Sequence, residues 1–208
     1  MGQEELAVTR RSLHGVAELV LAGPQYRATG KLRLGVVPGG FATILTPRLR
    51  VAGALVAGAE GAAVAIGGRT PRALGAEVGV TAGRPDGAYD GGSGVDPGET
   101  LALDPGHVTV IMGALALGQD ALVAFAPDEA PVLWPEHFDV AIRVDDLNFG
   151  VSPGDSFIEE PYAYVGASHT PAGDVFWNAP FGAARPLRAL PDASAVAGFF
   201  TEGRERAQ

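Results

Sequence analysis

From His137 to Ser152 the chain alternates with a period of two. Phe138, Val140, Ile142 and Val144 share one parity, and His137, Asp139, Ala141 and Arg143 share the other. This spacing predicts a strand with one apolar face. Asp145-Asp146 fits a two-residue turn, after which Leu147, Phe149 and Val151 alternate with Asn148, Gly150 and Ser152. Folded as a hairpin, Val144 meets Leu147, Ile142 meets Phe149 and Val140 meets Val151, so all six apolar side chains fall on one face. A one-residue slip would mix the faces, which supports this register. The other face then pairs Arg143 with Asn148, Ala141 with Gly150, Asp139 with Ser152 and His137 with Gly154. Its centre is small. Arg143 and Asn148 stand at one end, His137, Asp139 and Ser152 at the other, with Asp155 just beyond.

Elsewhere the pattern predicts helices and a meander. Leu13, Val16, Ala17, Val20 and Leu21 form one face of a helix over 10–22. Thr9 or Ser12 caps its start, and Gly23-Pro24 stops it. Strands are expected at 32–36, 41–45, 49–56 and 62–66, and a short helix from Thr70-Pro71 to Val78. Asp104-Pro105 opens a helix over 105–125, and Asp192 caps another over 192–205. Glu159 to Gly166 reads as a strand with Tyr162 and Tyr164 on one face. Residues 81–98 hold six glycines and two prolines, and too few apolar side chains to offset their ordering by burial. They are expected to form a loop between residues 1–80 and 99–208 of a single domain. The fold class is α+β: an antiparallel sheet built from both halves, with three main helices packed on it.

Composition narrows the function. The chain has 208 residues, 47% of them hydrophobic, and a net charge of -9. That charge disfavours nucleic acid and acidic lipid surfaces as partners. The absence of cysteine rules out disulfides and thiolate chemistry. The N-terminus is acidic where a signal peptide would be basic. Gln119 and Asp120 interrupt the most apolar stretch, Val108 to Ala126. A soluble, cytoplasmic protein is expected.

Chemistry concentrates in residues 131–182. They carry nine of the fifteen aromatics and eight acids against one arginine, Arg143. Aromatic walls beside polar groups suit a small-molecule pocket, expected here to be acidic. Arg143, Asn148, Ser152, Asp155, Tyr162, Tyr164, Trp177 and Asn178 are its candidate ligand-binding residues. His137 and Asp139, two apart on one strand face, are candidate acid–base groups, with Asp155 or Glu160 available to assist a divalent metal. Three readings follow: a small-molecule-binding domain, a small enzyme using His137 and Asp139, or a structural or partner-binding protein. No zinc helix, phosphate-binding loop, nucleophile elbow or dinucleotide fingerprint is present. His14, His107 and His169 are expected to be structural or on the surface.

The runs Leu-Trp-Pro-Glu-His-Phe-Asp-Val-Ala-Ile, Asn-Phe-Gly-Val-Ser-Pro-Gly-Asp, Glu-Pro-Tyr-Ala-Tyr and Phe-Trp resemble an uncharacterised bacterial domain family with a His-Phe-Asp strand, a Gly-Asp turn and a following aromatic strand. The resemblance falls on His137, Phe138, Asp139, Gly154, Asp155 and Tyr164, and extends to the early helix from Leu13-His14. Residues 45–100 depart from it. It implies weight for this segment but brings no activity.

Overall fold

The structure is a computed structural model describing residues 2–59, 61–169 and 174–208. The helical start is longer than the sequence predicts: α1 (Gln3–Gly15) continues through a π-helical segment (Val16–Ala22) into α2 (Gly23–Thr29). Thr9 and Ser12 do not cap it. Their hydroxyls accept from the backbone N–H groups of Asp104 and Ala102, both at 3.1 Å. Nor does Gly23-Pro24 stop it. Proline lacks an N–H and crowds the carbonyl four residues back, and the wider π turn before it accommodates both. The helix ends at Gly30, whose φ of 70° is the left-handed cap glycine favours.

The π turn leaves one carbonyl without a helical partner. Gly23 N–H bonds the Glu18 carbonyl, so the next donor in that ladder would be Pro24, which has none. The freed Leu19 carbonyl instead accepts from Gly83 N–H at 2.9 Å. A Cβ at Gly23 would lie 1.7 Å from the Gly83 oxygen, so only glycine permits this approach. Residues 81–98 are a loop, as predicted, but a tethered one. Glu18, 1% exposed, accepts from Ser93 N–H at 2.9 Å, Ser93 Oγ at 2.6 Å and Tyr89 Oη at 3.2 Å. Arg84 Nε lies 3.2 Å from the same carboxylate.

Among the described residues ten strands follow: β1 (Leu34–Val37), β2 (Gly40–Thr43), β3 (Leu49–Ala52), β4 (Leu55–Gly58), β5 (Val64–Ala65), β6 (Val132–Trp134), β7 (Asp139–Val144), β8 (Leu147–Ser152), β9 (Tyr162–Gly166) and β10 (Gly182–Pro186). They form one antiparallel sheet in the order β10-β9-β8-β7-β6-β1-β2-β3-β4-β5. The predicted 49–56 strand is two, because Gly53 turns the chain with a φ of 56°. Strands β6 and β10 lack a sequence signal. One is three residues long, and the other opens with Gly-Ala-Ala, poor strand formers that extend only because β9 pairs with them.

The described residues also form the α-helices α3 (Pro71–Glu77), α4 (Pro105–Phe125) and α5 (Ala193–Arg206). Thr70, Asp104 and Asp192 cap them by accepting from Ala73, His107 and Ala195 N–H. By length and composition α4 would suit a membrane. Here it is the central core helix, with Ile111, Leu115 and Leu122 fully buried. It lies close on the apolar face of the β7–β8 hairpin, because a Cβ at Gly118 would come within 2.6 Å of Val140 and 2.7 Å of Val151. Phe149 packs on Phe125 at 4.6 Å and on Phe200 of α5 at 5.7 Å. With these helices on one face, the opposite face of β6–β9 is left to other groups.

Glu18→Ala is expected to cost about 2–3 kcal/mol, since it strands a backbone amide and two hydroxyls that lose their acceptor. Urea unfolding reads the loss, and limited proteolysis should now cut within residues 84–95. A variant with the wild-type midpoint and an uncut loop would show that Glu18 does not hold it.

Candidate functional site

The hairpin register is the one the alternation predicts. Val144 pairs with Leu147, Arg143 with Asn148, Ile142 with Phe149, Ala141 with Gly150 and Val140 with Val151. Asp145 and Asp146 form the turn with φ of 50° and 63°, the left-handed pair of a tight hairpin. The neighbouring strands extend the pairing into rows on the face away from the helices. Trp134 is opposite Asp139, and Ser152 opposite Tyr162. The next row is Val132, Ala141, Gly150 and Tyr164, and a third joins Arg143, Asn148 and Gly166. A floor of small residues therefore lies between two polar rows.

This face is not roofed by a helix. It forms an open groove of about 1390 Å³, rimmed by His14, Arg10 and Arg11 of α1, by Gly91 to Ser93, and by Phe181. The expected acidic character is diluted. Five acids line the groove beside four arginines, Arg10, Arg11, Arg33 and Arg143.

At its centre Tyr164 lies across Gly150. A Cβ there would fall 2.5 Å from the Tyr164 hydroxyl, so residue 150 has to be small. The hydroxyl donates to Asp139 Oδ2 in a short hydrogen bond. Asp139 is 6% exposed, and its Oδ1 is buried with no hydrogen-bond partner. Burial pushes the Asp139 carboxyl above the ordinary carboxylate range. The Tyr164 hydrogen bond and the charge of His137 pull it back by less. Burial, then the Asp139 charge, pushes Tyr164 well above the usual phenol value, so it serves as a donor.

His137 is not on this floor. Trp134 and Asp139 are cross-strand partners, so residues 135–138 form the turn between β6 and β7, closed by Phe138 N–H to the Trp134 carbonyl at 2.8 Å. Phe138 takes a φ of 57°, an uncommon conformation for a bulky side chain. Its ring is trapped between His14, stacked at 5.4 Å, and Phe41, edge-on at 5.6 Å. This packing offsets the backbone strain and places His137 on the turn, 69% exposed beside Glu136 at 3.8 Å, where it lines the groove from its edge. The predicted strand therefore begins two residues late.

Other predicted residues divide between groove and scaffold. Arg143 and Asn148 sit at the exposed end, where Arg143 meets Asp146 at 3.0 Å. Ser152 lines the opposite end and is bonded to Gly154. Asp155 shapes the next loop: Oδ1 accepts from Phe157 and Ile158 N–H, and Oδ2 from Tyr162 Oη. Burial, then the bond to Asp155, raises the Tyr162 hydroxyl above its ordinary value. Trp177 and Asn178 lie away from the groove. Trp177 packs on Phe176 at 5.0 Å. Asn178 donates to the Ala184 carbonyl and accepts from its N–H, which covers the edge of β10. Glu160 pairs with Arg188 at 3.3 Å. Among the described residues, no three His, Asp or Glu side chains converge as a metal site.

His14, expected to be structural or on the surface, is a half-buried structural group that also lines the groove. Its Nε2–H donates to the Pro135 carbonyl at 2.7 Å, so Nδ1 carries the lone pair. Burial lowers its pKa and keeps the ring neutral.

Tyr164→Phe leaves both Asp139 oxygens without a partner, and should cost about 1–3 kcal/mol in urea unfolding. The Asp139 carboxyl also gives a pH signature. Its pKa is raised in the fold, so its contribution to stability is full below 3.8, the ordinary value, and is lost as pH rises through the folded value. Asp139→Asn removes this loss. The stability of the variant relative to wild type should therefore grow with pH across that window and then level off; a difference independent of pH would show that Asp139 titrates normally.

Compared with known proteins, the chain matches no family model, no curated protein and no solved structure, so a role has to be argued from the groove itself.

Proposed function

We propose that the protein binds a small molecule on the β6–β9 floor. The observation that carries this reading is Asp139, a buried carboxyl with one oxygen unpartnered, set in the groove beneath Tyr164. An unsatisfied buried oxygen costs free energy, and a ligand group that reaches it would repay that cost. The floor beside it, Ala141 and Gly150, is too small to fill the space, and Trp134, Tyr162 and Phe181 supply aromatic wall. Concave aromatic surface around a few fixed polar groups is the usual make-up of a ligand site.

The acid–base alternative asks for His137 and Asp139 side by side. His137 lines the groove only from its exposed turn, and Asp139 is bonded to Tyr164 rather than to His137, so binding is the reading favoured over catalysis.

A metabolite library screened by thermal shift tests the proposal. A ligand present at a hundredfold excess over its Kd stabilises by about 2.7 kcal/mol, which for a chain of this size raises Tm by roughly 5–10 °C. The hit should move the backbone amide resonances of Ala141, Gly150 and Gly166 and leave Gly118 unmoved. Ligands that stabilise the protein only through residues outside the groove would overturn the assignment.

A further inference from the structure

Three of the four groove arginines are already engaged. Arg10 Nη1 donates to the Glu159 carbonyl at 2.9 Å. Arg11 pairs with Glu99 and donates to the Gly94 carbonyl at 2.7 Å. Arg143 is paired with Asp146. Arg33 differs: among the described residues its guanidinium has neither an acid nor a carbonyl partner, and it lies 5.7 Å from the centroid of the Trp134 ring.

Strand pairing places this cation in the row of the buried carboxyl. Leu34 pairs with Leu133, which sets Arg33 opposite Trp134, and Trp134 is opposite Asp139. Directly opposed residues have Cβ atoms about 5 Å apart, so one small ring-bearing molecule reaches from Arg33 to Asp139. The groove acids offer a cation little. Asp139 is bonded to Tyr164, Asp146 to Arg143, Asp155 to its own loop, and Glu136 is beside His137. Glu129 is solvated on the rim. Arg33 stacked on Trp134 combines a planar cation, which matches a carboxylate fork, with an aromatic surface for a ring.

We infer that the groove takes an aromatic carboxylate, with its anion on Arg33 and its ring against Trp134 over the Ala141–Gly150 floor. This rests on the binding reading above and names its ligand class.

The test titrates the full chain with benzoate, benzamide and benzylamine, following the two tryptophan indole N–H resonances and the amides of Ala141 and Gly150. Trp177, packed on Phe176 outside the groove, is the internal reference. Benzoate is expected to shift the Trp134 indole saturably and leave Trp177 in place. It should bind more tightly than benzamide, and Arg33→Gln should weaken benzoate about tenfold while leaving benzamide unchanged. Arg33 is exposed, so the variant should fold. Equal binding of benzoate and benzamide, tighter binding of benzylamine, or no effect of Arg33→Gln would overturn the anion assignment while the groove stands. If none of the three probes moves Trp134, Ala141 or Gly150, both this inference and the binding reading fall.

Discussion

A slip of one residue between β7 and β8 would mix the two faces of the hairpin. With β7 held in place, Phe149 would leave Phe125 and Phe200, and Asn148, Gly150 and Ser152 would turn toward α4. The close seat of α4 depends on the same register, since Gly118 fits only where Val140 and Val151 stand side by side. Every groove residue on β6 and β9 is then placed by pairing outward from this hairpin. The register is thus a single constraint with two consequences, one in the core and one on the open face, and the energy that enforces it comes from the core. Side chains on the open face are positioned by packing in which they take no part.

The rim of the groove has a separate origin. A buried glutamate in an apolar helix is costly unless its oxygens are satisfied, and Glu18 is satisfied by residues from a loop with almost no core of its own. The π turn supplies the second tether by freeing the Leu19 carbonyl for Gly83. Together they bring Gly91 to Ser93 to the groove. The glycines of residues 81–98 are thus a means of close approach: a Cβ at Gly92 would fall 2.2 Å from a Glu18 oxygen.

Much of this was legible in the sequence where one short stretch carried its own reason. The period-two alternation gave the hairpin and its faces, and Thr70, Asp104 and Asp192 announced three helix starts. What was not legible depends on partners far along the chain. Phe138 takes its left-handed conformation because His14 and Phe41 enclose its ring, and nothing local predicts that; His137 was therefore placed on a strand it does not reach. Pro24 would stop an ordinary helix, and only the π turn upstream lets the chain continue. Asn178 and Trp177 looked like ligand groups because of their composition, yet one covers a sheet edge and the other packs on the core. The one local clue left unread was Glu18, an acid amid Val16, Ala17, Leu19 and Val20.

Gly150, Tyr164 and Asp139 form a chain of dependence that stability alone does not explain. A larger residue at 150 would pair and pack better in a strand, but it would displace the Tyr164 ring. Without that ring Asp139 would lose its hydrogen-bond donor and the burial that raises its pKa. With it, a carboxyl is buried, one oxygen is left without a partner, and the strand carries a glycine at its centre. The buried carboxyl and the strand glycine each cost stability, and an apolar residue at 139 beside a β-branched residue at 150 would avoid both. An arrangement that is unfavourable at two positions at once, on the face of the hairpin that the helices leave open, is consistent with the proposed binding site.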